Sequence, residues 1–78
     1  MKEQIKAYCL EELRNIQHNW DADRAISRAY GAVMFYTNYA KNEPEEDRNE
    51  IRTWWEEKML YSMLKLREEI KQKRKEEE

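Results

Sequence analysis

Apolar side chains recur along this chain with the period of an α-helix, in three blocks. Ile5, Cys9, Leu13, Ile16 and Trp20 are separated by steps of four, four, three and four. That spacing makes one stripe of a helix over about 2–19, with Tyr8 and Leu10 widening it. Ala22, Ala25, Ile26, Ala29, Val33, Tyr36 and Ala40 mark a second helix over about 22–41. Ile51, Trp55, Met59, Met63, Leu66 and Ile70 mark a third over about 44–74, one face kept for roughly five turns at 3.6 residues per turn.

The breaks between blocks have their own chemistry. Asn19 or Asp21 can cap the second helix by accepting from an otherwise orphaned N–H, and Asp21 and Asp23 place negative charge at its positive end. At the second break Asn42 suits the left-handed position after a helix, and Pro44 the first turn of the next. Glu45, Glu46 and Asp47 then complement the helix dipole. Both connections are short, so sequential helices are expected to run antiparallel. The fold expected is all-α, an antiparallel three-helix bundle in a single helical domain over 1–70. The third helix outruns its neighbours beyond about Leu66, and 71–78 forms a charged tail expected to fray.

Composition narrows the alternatives. One Gly and one Pro in 78 residues leave no turn signals for a sheet, and that length leaves no room for two domains. The 40% hydrophobic and 12% aromatic content exceeds what disordered chains carry. No stretch approaches the ~18–20 apolar residues of a membrane span. Glu3, Glu11 and Glu12 interrupt any signal-peptide pattern at the N-terminus. The single Cys9 has no partner for an internal disulfide, so a reducing, cytoplasmic setting is expected.

The same pattern leaves apolar groups over. Phe35 projects with Arg24, Arg28, Gly31 and Asn38 on what should be a wet face of the second helix. Trp54 and Tyr61, seven residues apart, fall together on the side of the third helix that carries Lys58 and Lys65. The bland alternative is isolated aromatics lying on lysine stems. Exposed together, such rings make the kind of patch that marks an interface, and small chains often offset a thin stability margin by associating. A homodimer is therefore expected, with Phe35, Gly31, Trp54 and Tyr61 as candidate interface residues. Gly31 costs a helix up to about 1 kcal/mol relative to Ala. With Ser27 it forms either a notch for a close approach or simply a tolerated glycine.

Catalytic chemistry is hard to assemble from these residues. His18, near Asp21 and Asp23, suits a helix end better than a metal site. Asn15 stands where a Glu-x-x-His motif would need its glutamate. Cys9 and His18, nine apart, fall on opposite faces of the first helix. No phosphate loop, Cys-x-x-Cys or nucleophile elbow occurs. The adjacent acidic pairs diverge on a helix and suit solvated surface. No enzyme, cofactor or metal is expected.

Nucleic-acid binding is the rival function. Arg24 and Arg28, with the run Lys71, Lys73, Arg74 and Lys75, are its candidate contacts. Yet 15 Lys+Arg face 17 Asp+Glu, a net charge of −2, and Glu76–Glu78 follow the run directly. No segment has the positive excess that phosphate contacts need. The function expected is thus a non-catalytic helical interaction or structural module, partnered by itself or another helical protein, with no membrane partner. A small regulatory nucleic-acid binder is the alternative.

Overall fold

A short helix, a long one and a still longer one follow each other with no strand among the described residues. The computed structural model describes residues 1–77, the side chains of Asn19 and of residues 74–77 excepted. Helix α1 is Lys2–Arg14, α2 is Asn19–Tyr39, and α3 is Glu45–Trp54. α3 runs through a π-helical turn, Trp55–Met59, into α4, Leu60–Glu77. These last three form one continuous rod over 45–77, roughly 50 Å at 1.5 Å per residue. It sets the 51 Å long axis of the molecule.

Ion pairs give the relative directions. Lys2 reaches Asp47 at 3.5 Å and Glu50 at 2.9 Å, and Lys6 reaches Glu50 at 3.7 Å, so α1 and α3 run parallel. Arg28 meets Glu12 at 3.8 Å and Arg67 meets Asp23 at 2.6 Å, which sets α2 antiparallel to both neighbours. Between the helices lie Cys9, Ala29, Val33, Tyr36, Ile51, Trp55, Met59 and Met63, all buried. Leu66 and Ile70 are partly buried against that core.

The first helix ends at Arg14, five residues earlier than its apolar stripe suggests. The cause is Asp21. Its carboxylate accepts the backbone N–H groups of Gln17 at 3.3 Å and His18 at 3.0 Å. In a continuing helix those donors would bond the carbonyls of residues 13 and 14. His18, extended at φ −132, becomes the N-cap, with Asp21 the N3 member of a capping box. Trp20 therefore opens α2 instead of closing the stripe of α1, and it lies exposed. Ile16 stays buried from within the connection.

The second connection also differs from expectation. α2 closes at Ala40, whose φ −81 and ψ 69 make an inverse γ-turn, with Lys41 N–H donating to the Tyr39 carbonyl at 2.9 Å. Asn42 is not left-handed, since no described non-glycine residue has positive φ. Pro44 takes the N-cap, one position before the first turn.

The π turn resolves a geometric difficulty in the third block. At about 100° per residue, each step of four overshoots a full turn by about 40°. Three such steps carry Ile51 to Met63, which would drift about 120° around an unbroken α-helix. The Leu60 N–H instead donates to the Trp55 carbonyl five residues back, absorbing one extra residue. Ile51, Trp55, Met59 and Met63 are thereby all kept within 4% exposure.

Candidate interaction surface

On α2 the inward positions are taken by Ala22, Ala25, Ala29, Val33 and Tyr36, which turns the opposite face to solvent. Phe35 is 59% exposed and Tyr39 is 71% exposed. One helical turn apart, their rings pair at 5.9 Å between centroids. At the other end of α2, exposed Trp20 stacks on His18 at 5.5 Å and carries the Arg24 guanidinium 5.5 Å from its ring centre. Between these two aromatic groups sits Gly31, where an added Cβ would meet nothing within 4 Å. Gly31 is therefore required by no contact with the other described residues. Tyr30, on the seam with the third helix, leans on Trp55 at 6.3 Å and keeps about half its surface in solvent.

The third helix divides its two candidates. Trp54 lies half-buried beneath Lys6, whose ammonium is 5.8 Å from the ring centre. It forms part of a depression of about 450 Å³ with Glu46, Asn49, Glu50, Thr53 and Glu57. The hydrogen bond from Lys2 holds the Glu50 carboxyl below its ordinary pKa, with the Lys2 and Lys6 charges adding to the effect. Tyr61 is 63% exposed. Trp54 and Tyr61 do not share a face as their spacing suggests, because the extra residue of the π turn rotates everything after it by roughly a quarter turn. Leu64, one turn beyond Leu60, is also exposed.

The basic candidates occupy two separate elements. Arg24 is engaged by Trp20 and Arg28 by Glu12, both on α2. Lys71 and Lys73 are exposed on α4, and the side chains of Arg74 and Lys75 lie outside the described residues. Spacing alone sets Tyr30 outside the stripe of α2 but does not single out Trp20 and Tyr39 as surface aromatics. For Tyr39 the signal was present, since it follows Phe35 by four residues.

Reactive groups are engaged elsewhere. Cys9 is fully buried, and burial, reinforced by the nearby Glu12 charge, pushes its thiol pKa up to about 11. The thiolate that would act as nucleophile is thus scarce at neutral pH. His18 Nδ1 lies 3.2 Å from Asp21 Oδ2, inside the cap. Burial alone would raise the Asp21 pKa. The hydrogen bonds from the His18 ring and from the Gln17 and His18 amides outweigh it, and the value is lowered. Among the described residues no group of three or more His, Cys, Asp or Glu side chains could hold a metal ion. No helix among them is long and apolar enough to cross a membrane. No family model matches the chain, and neither a curated protein nor a solved structure matches it.

Proposed function

We propose that this chain is a non-catalytic helical interaction module that associates with a second copy of itself. The observation carrying this reading is that six of the nine aromatic side chains, Tyr8, Trp20, Tyr30, Phe35, Tyr39 and Tyr61, are 41–71% exposed. An aromatic side chain buries ~150–250 Å² when covered, so leaving six in water forgoes much of the burial available to so short a chain. Association recovers it and widens the stability margin of a small core. Nucleic-acid binding has less support, since Glu12 sits against Arg28 and Arg24 lies over Trp20. A single buried, protonated cysteine suits a reducing compartment, and we place the module in the cytoplasm.

Sedimentation equilibrium from about 1 to 100 μM is the direct test, in the range where dimers of modest interfaces form. The expected mass rises towards twice 9.7 kDa with concentration. A constant 9.7 kDa across the range overturns the reading.

A further inference from the structure

We propose that two copies pair their third helices antiparallel, with Tyr61 of each copy at the two-fold axis. The inference deepens the self-association proposed above and rests on it. Its first support is charge. Residues 45–57 carry six carboxylates and two arginines, a net −4, whereas residues 58–73 carry five cations and two carboxylates, a net +3. A parallel pair would set like against like along the whole rod. An antiparallel pair sets the acidic half of each helix against the basic half of the other, the arrangement that electrostatic complementarity favours.

The second support is position. Residue 61 is the midpoint of the rod 45–77, so a two-fold there overlaps the two helices along their full length. Closed, isologous pairing of this kind is the commonest symmetry of small oligomers. Tyr61 is exposed at that midpoint, with Leu64 exposed a turn away. Depressions of about 450 and 460 Å³ flank it, one reaching Glu57 and the other beginning at Lys65. The axis then places Glu57 of each copy opposite Lys65 of the other, four residues either side of Tyr61. Neither Glu57 nor Lys65 forms an ion pair with another described residue of its own chain.

The outward face of α2 is the competing surface, and its charge argues against self-pairing. Arg28 is held by Glu12, and Arg24 is the one charged side chain of α2 without an ion pair among the described residues, so that face offers no opposite charges to pair with a second copy.

Charge reversal tests the register. Glu57→Lys and Lys65→Glu, each checked for native helix content by circular dichroism, should each weaken dimerisation at least about tenfold in sedimentation equilibrium, because each places two like-charge pairs across the axis. Mixing the two variants should restore the affinity, since the mixed dimer again has two opposite-charge pairs. The wild-type dimer should also weaken with added salt. Phe35→Lys on α2 should leave the dimer unchanged. If the wild type dimerises but neither reversal weakens it, or the mixture fails to recover, the antiparallel pairing is wrong; loss of the dimer in Phe35→Lys would then assign the module to α2. A wild-type chain that stays at 9.7 kDa overturns this pairing and the self-association together.

Discussion

The two ends of the molecule solve the problem of burial differently. At the end holding the 40–44 connection and the start of the third helix, α1, α2 and α3 surround Val33, Tyr36, Ile51 and Trp55, and Lys2 and Lys6 bridge to Asp47 and Glu50. At the other end α1 has stopped, since its 13 residues span only about 20 Å. There α2 and α4 cover each other and Ala22, Ala25 and Met63, small or flexible groups, are all buried, with Ile16 buried from the connection. Alanines bring helix axes close, so that two helices can bury what otherwise needs three. The comparison shows that a short first helix is compensated by residue size on its neighbours and not by a longer loop.

Substitution at each end breaks this comparison most strongly. Trp55→Ala should cost about 3–5 kcal/mol and Met63→Ala about 2–5 kcal/mol in chemical denaturation. Set against roughly 4–12 kcal/mol of total stability for a chain this long, either leaves a marginal fold. A Met63 effect below about 1 kcal/mol would show that the two-helix end is an appendage and not part of the core. Gly31→Ala acts in the opposite sense. The new methyl meets nothing within 4 Å, so the variant should gain about 0.5–1 kcal/mol from helix propensity alone. A loss in thermal unfolding would mean that the position is closely approached by something outside the chain.

Acid titration separates the two ends more gently. Asp21 serves the two-helix end and Glu50 the three-helix end, and both carboxyls sit below their ordinary values of 3.8 and 4.5. A lowered folded-state value means that the stabilisation is complete above the ordinary value and is lost as pH falls through the lowered one. Asp21→Asn and Glu50→Gln should each flatten part of that acid limb and leave its shape above pH 6 or so unchanged. The smallest effect is expected from deleting Glu56. Removing one exposed residue from the π turn changes the core spacing from steps of four, four and four to four, three and four, which a plain α-helix keeps on one face. Unfolding should remain cooperative with nearly unchanged stability; a collapse would show that the π turn itself is needed.

Much of this architecture was legible in the residues, and the misses have identifiable causes. Three apolar blocks specified three helices, and the inward residues of α2 and the third helix follow their periods closely. The end of α1 was missed because apolar spacing continues through Ile16 and Trp20, while the Asp21 carboxylate intercepts the backbone donors of Gln17 and His18. Uniform α spacing sets Trp54 and Tyr61 on one face, and the π turn between them inserts one residue and separates them. Exposure of Phe35 and Tyr61 could be anticipated from their opposition to the core stripe. Exposure of Trp20 could not, because it depended on which helix claimed it.

The sequence by itself determined the helical class, the three blocks and the reversal of charge along the third, because period and charge order are local properties of the chain. Tertiary structure alone decided where α1 yields to its cap, how the steps of four are reconciled by a π turn, and which aromatics reach water. Those outcomes depend on competition between neighbouring helices for the same backbone donors and the same buried space.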